Sequence, residues 1–419
     1  MSAPSTSATT TGTLEPGPRP PLAHFIILYS LLYGAFGAAS PFLPAFIQER
    51  GIAPELIGIL FGTGTAIRLV SAPVAGRIAD RTHALRLVLS ICAVATACAA
   101  MGYLAASSFW PLLAVSLMHA IALAPTTNLA DALALVASRR ERPLGFEYGW
   151  VRGAGSAAFI VASIIAGWAI ASYGLSAVIW LQVLLMLAVP FAVMRVPAVR
   201  SRTDSEVVTR EGMMALLRLP VFRSVVLVAA LILGSHALHD TFSVIRWRAA
   251  GVSPQTISVL WSLSVAAEVV VFFFAGPWLL RRLSPPAAIA LAASAGATRW
   301  LVAALTTDIV ALALIQPLHG ITFALLHLAC MRLLAKAVPD ALAATAQAIY
   351  GTVGVGAATA LLTVISGLLY ANMGAAAFAV MSVLCLAALP IARGMSRHWM
   401  SNRLKAWIRF CQVAVSLLP

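Results

Sequence analysis

The chain has 419 residues, 61% of them hydrophobic and only 10% charged, against roughly 25% charged in ordinary soluble domains. That balance excludes a soluble globular domain and reads as an all-α membrane protein, because apolar runs of about 20 residues, enough to cross a bilayer as helix, recur along the whole length. The formal charge of +14 would suit a nucleic-acid partner, but the basic residues fall in alternate loops, so topology accounts for them and no nucleic acid is implied.

Residues 1–22 are rich in Ser, Thr and Pro and lack the basic start and small-residue cleavage site of a signal peptide. They read as a disordered cytoplasmic tail. A first six-helix bundle follows over 23–195, with spans near 24–47, 55–75, 85–106, 110–137, 147–171 and 176–195. The stretch 196–221 is polar, contains Pro197, and reads as a cytoplasmic linker with a short surface helix around Gly212 to Leu217. A second bundle over 222–395 has spans near 222–245, 255–276, 286–305, 309–334, 343–371 and 375–394. The tail 396–419 mixes Trp399, Trp407 and Phe410 with Arg397, Arg403, Lys405 and Arg409, a pattern open to two readings, a basic helix on the inner leaflet or disorder.

The two bundles repeat at an offset of 200 residues. Gly51-Ile-Ala-Pro54 returns as Gly251-Val-Ser-Pro254, Ala75-Gly76 as Ala275-Gly276, His119 as His319, Gly34 as Gly234 and Gly174 as Gly374. At one matched position the copies differ in charge: Arg68 falls opposite Glu268. Arg77, Arg81 and Arg86, then Arg139, Arg140 and Arg142, then the linker arginines, Arg281 and Arg282, Arg332 and Lys336, and the C-terminal tail all lie on one side. The opposite loops carry Arg50, Arg246 and Arg248. The positive side is expected to be cytoplasmic, which puts both termini there.

Ionisable groups at bilayer depth are costly and therefore informative. Nine stand out: Arg68, Asp131, Arg152, His236, His239, Asp240, Glu268, Arg299 and His319, with His327 a weaker tenth. Counted back from Arg139 and Arg142 at 1.5 Å per residue, Asp131 and Arg152 sit at similar depth, roughly 12 to 15 Å from the cytoplasmic face. Thr127, Asn128 and Asp131 share one helix face, and Tyr148, Arg152, Gly155 and Ser156 share another. They form either a substrate-binding face or a structural pair that locks two helices. Glu268, Arg299 and His319 meet near mid-depth, where a carboxylate between an arginine and a histidine suits proton coupling; a static buried triad is the alternative. His236, His239, Asp240 and Ser243 make a polar stripe on span seven, either lining a cavity or, less in keeping with the rest of the chain, holding a metal. Trp261 lies on the face of Glu268 and offers an aromatic wall or simple packing. His119 and His327 read equally as hydrogen-bonded core histidines.

Cys92, Cys98, Cys330, Cys385 and Cys411 are odd in number, show no metal-ligand spacing and read as packing residues. No cofactor and no metal are expected. Glycines such as Gly34, Gly37, Gly58, Gly62, Gly153, Gly155, Gly351 and Gly356 point to close helix packing, or to helices that slide.

The loop Gly76-Arg77-Ile78-Ala79-Asp80-Arg81 resembles the signature of the major facilitator superfamily, in which it acts as a conformational latch; Gly76, Asp80 and Arg81 are the matching positions. Positive-inside topology alone is the plainer account of its charges. Further stretches resemble one branch, the phenylpropionate permease family, itself similar to lactose permease and the nucleoside-proton symporters. They are Leu129-Ala-Asp131-Ala-Leu133, Glu147-Tyr-Gly-Trp-Val-Arg152-Gly-Ala-Gly-Ser156, Trp261-Ser-Leu263, Ala267-Glu268-Val269, Arg299-Trp300, His319-Gly320 and His327-Leu-Ala329. The most specific is Tyr148 to Ser156, and the likeness runs from Phe25 to Leu389.

The resemblance implies twelve transmembrane helices in two six-helix bundles, the major facilitator fold. By position it implies substrate binding by Arg152 and Asp131 and proton coupling through Glu268, Arg299 and His319. Lactose permease has a further glutamate on span ten, which this chain lacks, so the proton is expected on Glu268 with Asp240 or Asp131 as alternates. Tyr148, Asn128, Trp261 and His236 complete the expected substrate contacts. An aromatic acid such as 3-phenylpropionate is the implied solute, with Arg152 or Arg299 as its counter-charge. The expected function is proton-coupled symport by a monomer in the bacterial inner (cytoplasmic) membrane, with the lipid bilayer and a small molecule as its partners. A drug-proton antiporter is the nearest rival, although Gly153 to Gly167 contains no Gly-Pro antiporter signature. A sugar or nucleoside symporter is a second. A membrane enzyme finds no nucleophile, base and oxyanion arrangement to support it.

Overall fold

The computed structural model describes residues 22–138, 146–197 and 210–416, with side chains left undescribed at 210–212, 340 and 398–416. The tail 1–21, most of the linker, and Arg139, Arg140 and Arg142 lie outside those residues. Among the described residues there is no strand.

The repeat is visible in the backbone. Gly51 (φ 76°) and Gly251 (φ 80°) turn the chain just before Pro54 and Pro254 open long helices, and Gly174 (φ 76°) and Gly374 (φ 54°) end helices in the matched later position. Lacking a Cβ, glycine takes positive φ at no steric cost, and these are the four positive-φ glycines among the described residues.

The first half comprises α1 (Leu22–Ala39), α2 (Leu43–Gln48), α3 (Pro54–Thr82), α4 (Leu85–Ala105), α5 (Phe109–Ser138), α6 (Tyr148–Tyr173) and α7 (Ser176–Arg195). A short α8 (Arg210–Arg218) covers the helix expected in the linker. The second half begins with α9 (Pro220–Gly234), α10 (His236–Ala249), α11 (Pro254–Val270), α12 (Gly276–Arg282) and α13 (Pro285–Leu305). It continues with α14 (Ile309–Ile315), α15 (Leu318–Gly320), α16 (Leu326–Ala337), α17 (Ala343–Ile349), α18 (Ala358–Met373) and α19 (Ala377–Ser416). Three π-helical segments, Val271–Ala275, Ile321–Leu325 and Tyr350–Ala357, interrupt this half.

Eleven helical stretches are long and apolar enough to cross a membrane. The last, Ala343–Arg397, is 55 residues long and is interrupted at Gly374, so the expected count of twelve depends on reading its two arms separately. Span seven, expected as one helix, breaks at Ser235, whose hydroxyl donates to the Ile232 carbonyl at 2.6 Å and accepts from Trp300 Nε1 at 2.8 Å. The backbone of α19 runs without a break past residue 395, where the second bundle was expected to end.

Within the first half α1 packs on α6 and α7, α4 on α5 and α7, and α3 on α5; in the second, α19 packs on α13 and α9. The halves meet along α3 with α18 and α6 with α11. A Cβ on Gly58 would lie 2.7 Å from the Gly367 Cα, and one on Gly167 would lie 2.8 Å from the Pro254 carbonyl, so both crossings require glycine. Both are near the end marked by Gly51 and Gly251, where Arg248 Nη2 also reaches Glu49 Oε1 at 2.6 Å across the halves. Towards the arginine-rich end, Cβ atoms on Gly76, Gly153 and Gly351 would meet nothing within 4 Å. The halves are therefore closed at the end marked by Gly51 and Gly251, whereas towards the arginine-rich end the approach of Gly149 to Phe273, 3.8 Å from a Cβ on the glycine, is a looser side-chain contact. Large apolar side chains such as Leu184, Phe191, Leu314 and Leu361 remain exposed on the outside, as a lipid-facing surface allows.

Candidate functional site

Between the halves lies a cavity of about 530 Å³, within the usual range for a small-molecule site. The first half contributes Tyr33, Phe36, Phe61, Arg68, Arg152 and Phe159, and the second contributes His239, Asp240, Trp261, Glu268, His319 and Phe323. Its wall thus combines aromatic rings with ionisable groups from both copies of the repeat.

In the first half the Asp131 carboxylate is the hub. Tyr29 Oη and Tyr148 Oη donate to its Oδ1 at 2.5 and 2.7 Å, and Arg152 Nη1 stands 3.7 Å from the same atom. Arg152 also donates to Tyr33 Oη and lies over the Tyr33 ring, 5.1 Å from its centroid. Tyr29 and Tyr33, one helical turn apart on α1, stack with centroids 5.8 Å apart. Gly155 makes the arrangement fit, since a Cβ there would come within 3.0 Å of the Tyr33 ring. The structure therefore brings together Asp131, Arg152 and Tyr148, and adds Tyr29 and Tyr33, which the sequence pattern did not single out. Their one signal was the i, i+4 spacing of two tyrosines in an apolar span.

In the second half a continuous polar chain runs along the cavity wall. Arg299, only 1% exposed, sits at its centre. Its Nη1 meets His319 Nδ1 at 3.1 Å; its Nη2 reaches Gln316 Oε1 at 2.9 Å, His239 Nε2 at 3.4 Å and Ser264 Oγ at 3.5 Å. His319 Nε2 in turn lies 3.4 Å from Glu268 Oε2, and His239 Nδ1 lies 3.2 Å from Asp240 Oδ1. A guanidinium only donates, so the nitrogen each histidine turns towards it must be the acceptor. Both imidazoles are therefore neutral, with opposite tautomers: His319 carries its proton on Nε2 towards Glu268, and His239 carries its proton on Nδ1 towards Asp240. One buried cation is linked through two imidazoles to two cavity-facing carboxylates.

Gly320 makes the Glu268 contact reachable. A Cβ there would lie 2.5 Å from the Ala267 carbonyl, so its absence lets α15 touch α11 beside Glu268. π-helical segments begin at Val271, three residues after Glu268, and at Ile321, directly after Gly320, a form of backbone found often at functional sites. Trp261 stacks on His239, centroids 4.9 Å apart and planes at 27°, and presents its other side to the cavity.

Other expected positions fall elsewhere. His236 is buried behind the wall, its ring 5.0 Å from that of His319 and edge-on to Trp300. Asn128 is exposed on α5, is absent from the cavity lining, and its side chain makes no hydrogen bond to any described residue. His119, at the position matching His319, bonds Gln182 Oε1 at 3.2 Å. His327 pairs with Tyr350 Oη at 3.4 Å in a separate group. The Asp80 carboxylate has no hydrogen-bond or ion-pair partner among the described residues, and Arg81 is exposed. No group of three or more His, Cys, Asp or Glu among the described residues could hold a metal ion.

The MFS_1 like family model matches residues 22–380 of this chain. The chain belongs to that family, and it is a major facilitator superfamily transporter. The transporter is 30% identical to the "Probable 3-phenylpropionic acid transporter" of Escherichia coli (strain K12), over 86% of its own length and 94% of the relative's. It is 23% identical to the maltose permease of Geobacillus stearothermophilus, over 82% and 86% of the two chains. Among solved structures, the nucleoside transporter NupG superposes with a TM-score of 0.77 at 16% identity, covering 90% of the transporter and 98% of NupG. These relatives are multi-pass carriers of small molecules, and the transporter's cavity lies between its halves as that fold requires.

Proposed function

We propose that the protein is a proton-coupled symporter that takes up an aromatic carboxylate such as 3-phenylpropionate by alternating access. The observation that carries this reading is the chain from Asp240 through His239, Arg299 and His319 to Glu268. A carboxylate at its end can gain or lose a proton while the rest adjusts by shifting hydrogen bonds about one fixed cation, which is what coupling asks of a site. The aromatic lining, with Trp261, Phe61, Phe159 and Phe323, suits a ring-bearing solute. The substrate named for the Escherichia coli relative is of that class.

In this reading Glu268 holds the transported proton, with Asp240 and Asp131 as alternates. Arg152, Asp131 and Tyr148 form the first-half substrate face, and His236 supports His319 from behind. The arginine-rich end faces the cytoplasm, and both termini lie on that side of the inner membrane. Gly76, Asp80 and Arg81 act as a conformational latch. One chain supplies both walls of the cavity, so a monomer suffices, and the proton is the one coupling species with no cofactor.

The test is uptake of labelled 3-phenylpropionate into proteoliposomes with an imposed proton gradient, inward and then outward. Symport accumulates the acid with an inward gradient and loses accumulation when a protonophore is added. Accumulation indifferent to the protonophore ends the coupling claim, and export driven by the inward gradient would favour antiport.

A further inference from the structure

We infer that Arg68 is the counter-cation that receives the substrate's carboxylate, a role the family resemblance would place on Arg152 or Arg299. This rests on the proposed uptake of an aromatic carboxylate and names the group that recognises the acid.

Arg68 stands at the centre of α3, with fourteen residues on either side between Pro54 and Thr82, and so near mid-depth in the bilayer. Its side chain is exposed into the cavity. No carboxylate of a described residue lies within ion-pair distance of its guanidinium, which makes no hydrogen bond to any described residue. His119 and Gln182, which line the same cavity, are bonded to each other, and the Tyr103 phenol lies near enough to feel the Arg68 charge without forming a hydrogen bond or ion pair with it. A charge held at this depth without a partner is costly, and the cost is removed when an anion enters.

The other two arginines are less available. Arg299 is buried, is absent from the residues that line the cavity, and spends its Nη atoms on His319, His239, Gln316 and Ser264. Arg152 is held by Asp131 and Tyr33. A substrate carboxylate approaching either would have to displace a partner, and Arg68 asks for no such exchange.

The balance of charge supports the same assignment. In and directly behind the cavity wall, Arg68, Arg152 and Arg299 face Asp131, Asp240 and Glu268, three guanidiniums against three carboxylates, with His239 and His319 neutral. The empty site is neutral. A monoanion alone leaves it with one excess negative charge, and one proton on Glu268 restores neutrality. Binding of the acid at Arg68 therefore favours uptake of one proton across the cavity, and coupling of one to one follows from electrostatics.

The experiment compares binding of 3-phenylpropionate, cinnamate and benzoate with that of the uncharged 3-phenylpropanamide, by calorimetry on the purified full-length protein and its Arg68→Gln and Arg68→Met variants. Two neutral replacements of different packing guard against one failing to fold, and amide binding reports an intact cavity. The wild type should prefer the acid over the amide by on the order of tenfold to a hundredfold, the worth of a charge-assisted hydrogen bond, and both variants should lose that preference while binding the amide unchanged. A variant that binds the amide and keeps the acid preference overturns the role of Arg68 and leaves the uptake reading standing. A wild type that binds none of the three acids overturns both.

Discussion

Arg299 Nη1 and His319 Nδ1 stand 3.1 Å apart, and because a guanidinium has no lone pair to offer, this one contact fixes which nitrogen of His319 carries the proton. The Nε2–H is thereby on the side of Glu268, whose Oε2 lies 3.4 Å away. A glutamine at 268 keeps the size and polarity of the side chain but can neither ionise nor take up a proton. Glu268→Gln is therefore expected to abolish accumulation against a gradient while sparing counterflow exchange of labelled for unlabelled acid. Vesicle uptake under an imposed proton gradient measures both, and intact uphill uptake in this variant would remove Glu268 from the coupling.

His319 has a second, structural consequence that can be separated from transport. Replacing it with phenylalanine keeps the ring but takes from Arg299 an acceptor, and a buried charged donor deprived of its partner costs about 1 to 3 kcal/mol. Glutamine restores an acceptor for Arg299 and a donor for Glu268. Thermal unfolding of the purified protein should therefore show a lower midpoint for His319→Phe than for His319→Gln. Equal midpoints for the two would mean that the Arg299 contact contributes nothing to the fold.

The ionisable members of the site were legible because hydrocarbon makes each one conspicuous. Asp131 and Arg152 could be placed at one depth by counting from their arginine-rich loops, Glu268 and Arg299 likewise from the loop between their spans and His319 from the outer side of its own, and the structure brings each group together. Tyr29, Tyr33, Gln316 and Ser264 were not legible, since uncharged polar and aromatic side chains are ordinary in membrane helices and carry no penalty that marks them. His239 was visible as part of a stripe, but its contact with Arg299 depends on where its helix starts. The break at Ser235 is held by Trp300, from a helix distant in sequence, and no periodicity in span seven reports it. The fold was easier to read than the site for the same reason: the glycine and proline pairs 200 residues apart act locally on the backbone, whereas the site depends on crossings between helices.

Gly320 is one such crossing. The 2.5 Å distance from its missing Cβ to the Ala267 carbonyl leaves no room for a methyl group, and backbone on both sides cannot swing away as a flexible side chain would. Gly320→Ala should push α15 off α11, lengthen the His319 to Glu268 contact, and cost about 1 to 3 kcal/mol of stability as an overpacked core position does. Uphill uptake should fall more steeply than counterflow, because the displacement lies at the coupling pair and leaves the Asp131 face untouched. A variant with wild-type thermal stability and wild-type uphill uptake would show that α15 and α11 separate freely.

Glu49 and Arg248 join the two halves at the closed end through a contact of 2.6 Å, on side chains that are 49% and 29% exposed. Exposed ion pairs contribute only about 0 to 1 kcal/mol, so the pair cannot by itself hold the closed end shut. The heavier share falls to Gly58 against Gly367 and Gly167 against Pro254, where backbones touch directly. Glu49→Gln should therefore shift the balance between the two open states by at most about fivefold, with a smaller shift at high salt, whereas Gly58→Leu should prevent closure at that end altogether. Spin labels on the two halves near the closed end would read both effects as distance distributions. If Glu49→Gln opened the closed end as completely as Gly58→Leu, the ion pair would be the principal lock and the glycine crossings secondary.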